Sequence, residues 1–89
     1  IYNHTPVIFL FLLTLSVMMQ KDKILSRFAR RLTSLREKQG ISIRELASRS
    51  NLEYSQVQRI EKGKVNFAYS TLLALAEGLN ISPSELLDF

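Results

Sequence analysis

Apolar residues follow two different patterns along this chain, and the border between them is sharp. From Pro6 to Met19 nearly every position is apolar, interrupted only by Thr14 and Ser16. A helix made from such a run is apolar all round, unlike the one-sided stripe of a surface helix. From Lys21 onward the apolar residues are spaced. Ile24, Phe28, Leu32 and Leu35 recur at intervals of four and three, with Leu25 beside them. This spacing predicts an amphipathic helix from about Asp22 to Gln39. Gly40 ends it, since glycine accepts the left-handed backbone that follows a helix C-terminus.

Four shorter helices follow. Ser42-Ile43-Arg44-Glu45 reads as a capping box, in which the serine caps the helix and the glutamate reaches back to it. It opens a helix over Ile43 to Ser50 that buries Leu46 and Ala47. Asn51-Leu52 forms a turn, because asparagine tolerates left-handed backbone. A third helix covers Tyr54 to Lys62, with Val57 and Ile60 inward and Gly63 as its stop. Thr71 to Leu79 forms a fourth, burying Leu72, Leu75, Ala76 and Leu79. Ser82-Pro83-Ser84-Glu85 is a second capping box, with proline at the favoured first helical position. The last short helix carries Leu86 and Leu87. No strand alternation, repeat or low-complexity linker interrupts the series. The expected fold class is all-α: a five-helix domain over residues 21–89, preceded by an apolar segment, residues 1–20, that also reads as helical.

Charge sharpens the picture. Residues 1–20 carry no Lys, Arg, Asp or Glu. From Lys21 to Lys64 there are 12 basic and 5 acidic residues, a balance of +7; from Val65 to Phe89 there are 3 acidic residues and no basic one. A basic front half points to a polyanion, either nucleic acid or an anionic surface. The competing reading is a solvated lysine-rich face.

The candidate chemistry is sparse. Zero cysteines exclude a disulfide framework, a thiolate metal site and a cysteine nucleophile. His4 is the only histidine, so neither a zinc site nor a serine–histidine–carboxylate triad has its ligands within the charged body. No catalytic residue, metal or cofactor is expected. At 89 residues the chain offers one small domain, which also excludes a large enzyme scaffold.

Three readings compete for residues 1–20. The segment just reaches the ~20 residues that span a hydrocarbon core. Lys21, Lys23, Arg27, Arg30 and Arg31 follow it, which would keep the body on the cytoplasmic side of a membrane anchor. A signal peptide fits poorly, for want of a basic start and a small-residue cleavage site. The favoured expectation is translated upstream sequence, because the chain begins at Ile1 while Met18 and Met19 stand directly before the body.

The ordered set of motifs carries a resemblance. Leu35-Arg36-Glu37-Lys38-Gln39-Gly40-Ile41-Ser42, then Glu45-Leu46-Ala47, then Val57-Gln58-Arg59-Ile60-Glu61-Lys62-Gly63-Lys64, then Leu72-Leu73-Ala74-Leu75-Ala76 closely resemble the Cro/cI-type (XRE) helix-turn-helix family. The match covers about Leu25 to Leu87. It implies a lambda-repressor-like domain whose third helix enters the DNA major groove while the second crosses the backbone. On that basis Tyr54, Ser55, Gln58 and Arg59 fall at base-contacting positions. Arg59 would take guanine O6 and N7, Gln58 adenine, and Tyr54 a sugar or a thymine methyl. Ser42, Arg44, Lys62 and Lys64 fall at phosphate-contacting positions, which orient without specifying. Arg36 and Glu61 match a family ion pair joining the first and third helices.

Three positions depart from the family pattern. Ile43 replaces the usual glutamine and is expected to pack against Tyr54. Glu53 stands where the third helix usually has a Ser or Thr cap; its charge suits the helix dipole but repels phosphate. Phe67 stands where proline is common. The resemblance implies a sequence-specific DNA-binding regulator, cytoplasmic and homodimeric, with half-sites ~34–36 Å apart. Leu87, Phe89 and Tyr69 are the candidate dimer-surface residues. The alternative is a protein-interaction module, such as an antitoxin holding its toxin, or an adaptor tethered to the inner membrane.

Overall fold

Left-handed residues set where most helices stop. In a computed structural model, which describes residues 6–89, α1 spans Val7–Lys38, α2 Ile43–Ser50, α3 Tyr54–Glu61, α4 Tyr69–Gly78 and α5 Pro83–Leu86. No strand occurs among the described residues. Gly40, Asn51 and Asn80 take φ of 71°, 56° and 58° just after α1, α2 and α4. In each turn the next amide reaches back five residues: Ile41 to the Arg36 carbonyl (3.3 Å), Leu52 to Ala47 (2.9 Å) and Ile81 to Ala76 (3.0 Å). This is the Schellman closure, which satisfies orphan carbonyls at a helix end. The apolar residue that follows each turn then returns to the interior. Ile41 is buried, and Leu52 and Ile81 are half-buried against the core.

The first helix differs from the sequence-based expectation. It does not begin at Asp22 but runs unbroken for 32 residues from Val7. Neither proline nor glycine occurs between Pro6 and Gly40, so nothing in the chain stops a helix at the charge border. The apolar segment is helical as expected, and the border at residues 20 and 21 coincides with no break in it. Val7, Phe9, Leu10, Phe11, Leu13 and Met19 all lie exposed on this projecting half. Among the described residues no helix is long and apolar enough to cross a membrane. In α1 the uncharged stretch that starts at Val7 ends at Lys21, Asp22 and Lys23, short of the ~20 apolar residues a span requires. His4 lies outside the described residues.

Ile24 is exposed, contrary to its expected place on the apolar face, because packing of the bundle begins one turn later. Phe28, Ala29 and Leu32 are buried instead, with Leu35 half-buried. Phe28 and Leu32 meet Leu46, Val57, Ile60, Leu75 and Leu86 from the other four helices, and Leu79 just past α4, in one continuous core. Phe67, at the position where proline is common in the family, lays its ring 4.9 Å from that of Phe28 and closes the core beneath the α3–α4 loop. The helix α4 starts at Tyr69, two residues before Thr71.

Two glycines permit close approaches. Gly63 has φ 74°, and a Cβ there would stand 3.1 Å from the Ser26 backbone of α1. Gly78 lies where α4 crosses α2, and a Cβ there would run into the Ser50 side chain. The Ser50 hydroxyl is buried at this crossing without a hydrogen-bond partner.

Candidate nucleic-acid interface

An eight-residue helix such as α3 has little stability of its own, so its position comes from what it packs on. Val57 and Ile60 face the core and are fully or almost fully buried. Behind them Glu61 forms the anchor. Arg36 of α1 donates through Nε to Glu61 Oε2 at 2.7 Å and through a terminal nitrogen to Oε1 at 3.0 Å. This two-pronged geometry is the strongest form of a carboxylate pair. A third Arg36 donor reaches the Ile41 carbonyl at 2.9 Å, and Thr33 Oγ1 donates to Glu61 Oε1 at 2.9 Å. The side chains are only 12% and 7% exposed. Their hydrogen bond holds the Arg36 pKa above its ordinary value, chiefly through Glu61. One cluster thus ties α1, the α1–α2 turn and α3 together. The resemblance named Arg36 and Glu61. Thr33 was missed, although its position one helical turn before Arg36 puts it on the same side of α1.

The outward side of α3 carries the expected base-reading residues. Tyr54, Ser55 and Arg59 are exposed, and Gln58 is half-buried. They divide between two flanks, as the 100° advance per helical residue requires. Ser55 and Arg59 line an open groove between α3 and the segment leading into α4, together with Glu53, Gln56, Asn66 and Thr71. Tyr54 and Gln58 lie outside that groove. The Arg44 guanidinium of α2 sits 4.8 Å over the Tyr54 ring, a cation–π distance. Ile43, which was expected against Tyr54, is half-buried against the core cluster.

The expected phosphate contacts flank this surface. Ser42, Arg44, Lys62 and Lys64 are all exposed. Ser42 Oγ accepts the Glu45 amide at 3.0 Å, which leaves its own hydroxyl proton free to donate. The reciprocal half of the capping box is replaced. The Glu45 carboxylate instead meets Arg49 at 2.7 Å, since a charge four residues on along the same helix is a stronger partner than an amide. Lys62 and Lys64 stand on either side of the Gly63 turn. Glu53 caps nothing: as the N-cap residue of α3 it makes no side-chain hydrogen bond to the helix.

Part of the basic charge is used internally. Arg31 donates to the Glu85 carbonyl at 2.6 Å, and Arg27 lies 5.3 Å over the Phe89 ring. These arginines pin the C-terminal end to α1. Phe89, a candidate for a dimer surface, also packs edge-on against Phe28 at 6.4 Å while remaining 44% exposed. Leu87 and Tyr69 are exposed as expected.

Comparison with known proteins agrees with this geometry. The helix-turn-helix family model matches residues 32–86, which includes the Arg36–Glu61 anchor, α2 and α3. The crystal structure of the restriction-modification controller protein C.AhdI from Aeromonas hydrophila is similar, with a TM-score of 0.68 and 40% sequence identity. The similarity covers 70% of this chain and 94% of that one. No curated protein matches the chain. A family match over more than half of the residues, a shared fold and the α2–turn–α3 arrangement lead to one assignment: the chain belongs to the Cro/cI-type (XRE) helix-turn-helix family.

Proposed function

We propose that the protein is a sequence-specific DNA-binding transcriptional regulator that inserts α3 into the major groove and acts as a homodimer. The observation that carries this reading is the anchored α3. Its inner side is fixed by Val57, Ile60 and the Arg36–Glu61 pair, and its outer side offers unpaired polar side chains. A rigid helix presenting Arg, Gln and Ser in this way suits base-edge recognition. Arg44, Lys62 and Lys64 supply cations on both sides of it, as backbone positioning requires. Arg59 and Ser55 read bases from one flank, and Tyr54 and Gln58 from the other.

Two copies related by a twofold axis would read half-sites ~34–36 Å apart. Tyr69, Leu73 and Leu87, exposed on the α4–α5 side, are the surface proposed to meet between copies. The chain acts in this reading as a binding protein rather than an enzyme, in the cytoplasm where the DNA lies. Among regulators, control of a restriction–modification system is favoured by the likeness to C.AhdI over nearly the whole of that protein.

A salt titration of duplex binding tests the proposal. Neutralised phosphates release counterions, so the affinity must fall steeply as salt rises. Weak binding that is flat in salt would overturn the proposal and favour a protein partner instead.

A further inference from the structure

Glu53 is out of place on a surface that would face phosphate. It stands at the N-cap of α3, just before Tyr54, and is exposed. It neither caps the helix nor forms an ion pair among the described residues. It lines the same groove as Ser55 and Arg59, two residues of the proposed base-reading set. Stability does not demand glutamate here, since Ser or Asp at an N-cap would accept a helix amide that Glu53 leaves alone. A carboxylate brought against duplex DNA meets repulsion from every phosphate nearby. The major groove offers two amino donors, adenine N6 and cytosine N4; the N7 acceptor beside adenine N6 repels a carboxylate, so cytosine N4 is the donor that suits a glutamate.

We propose that Glu53 is a specificity-determining residue. Its carboxylate penalises binding to generic duplex and is satisfied where a cytosine presents its N4 amino group at the start of α3. The penalty applies to all sequences and the compensation to few, so the residue widens the ratio of specific to non-specific affinity. Repulsion sets the floor and one hydrogen bond sets the preference. This inference rests on the DNA-binding reading above.

The test is selection of randomised duplexes by the full chain and by Glu53→Gln, followed by titration of the enriched and random sequences. The wild type is expected to enrich cytosine at one position per half-site. Replacing that base should weaken wild-type binding by about five- to 150-fold. Glu53→Gln should bind random duplex more tightly and lose the cytosine preference. A second variant, Glu53→Ser, separates this role from a structural one. It should cap α3 and raise the melting temperature while relaxing specificity in the same way. If Glu53→Gln enriches the same bases as the wild type, the inference fails and the regulator reading stands. If the wild type enriches no sequence at all, the regulator reading fails and takes the inference with it.

Discussion

Removing the Glu61 carboxylate should have an effect out of proportion to the size of the change. In Glu61→Ala the Arg36 guanidinium keeps its bond to the Ile41 carbonyl but loses both bonds to the carboxylate. Thr33 loses its acceptor as well. Arg36 is left as a charge only 12% exposed, without an ion-pair partner. Breaking a buried pair from one side costs about 3–5 kcal/mol, because the remaining charge is stranded. A bundle of this size has only about 3–10 kcal/mol of stability to lose. Urea unfolding followed by the helical circular-dichroism signal measures the difference. The double variant Arg36→Met with Glu61→Leu removes the stranded charge and should cost far less than the two single changes added together. A cost under about 1 kcal/mol for Glu61→Ala, the range of an exposed surface pair, would mean that Arg36 is not stranded. Additive costs in the double variant would mean the same.

Other consequences follow from the packing and the flanking cations. Ser50→Ala removes a buried hydroxyl that has no partner and should raise stability by about 1 kcal/mol, read as a higher melting temperature. Gly78→Ala should lower stability by about 1–3 kcal/mol through overpacking, and Ser50→Ala should recover part of that loss, since Ser50 is the side chain it strikes. Lys64→Ala should weaken binding evenly across sequences and reduce the slope of log affinity against log salt by about one; a sequence-dependent loss would place Lys64 on a base.

Helix ends were legible because their signals are local. Gly40, Asn51 and Gly63 announce left-handed turns, and Ser42 and Ser82 accept the amides of Glu45 and Glu85 as capping residues do. The start of α1 was not legible, because a shift from apolar to charged residues is a change of environment and not of backbone. Only a proline, glycine or cap ends a helix, and none stands at residue 21. The exposure of Ile24 follows from the same point: a spacing of four and three names a face but not the turn at which packing begins. Contacts between helices were legible only where the family resemblance named them. It pointed to Arg36 and Glu61, but Arg44 over Tyr54 depends on how α2 meets α3, which no periodicity encodes. The Glu45 side chain shows competition at work, with Arg49 outbidding the amide that the capping motif assigns it.

Whether α3 reads base edges is decided at Arg59. Arg59 is exposed on α3, lines the groove beside Ser55, and forms no ion pair among the described residues. Affinities of the wild type and Arg59→Ala should be compared on the selected operator and on random duplex at one salt concentration. Base reading by Arg59 requires a loss of about 1–3 kcal/mol on the operator and much less on random DNA, with relaxed preference at one base pair. Equal losses on both duplexes would contradict it, and would reduce Arg59 to a phosphate contact.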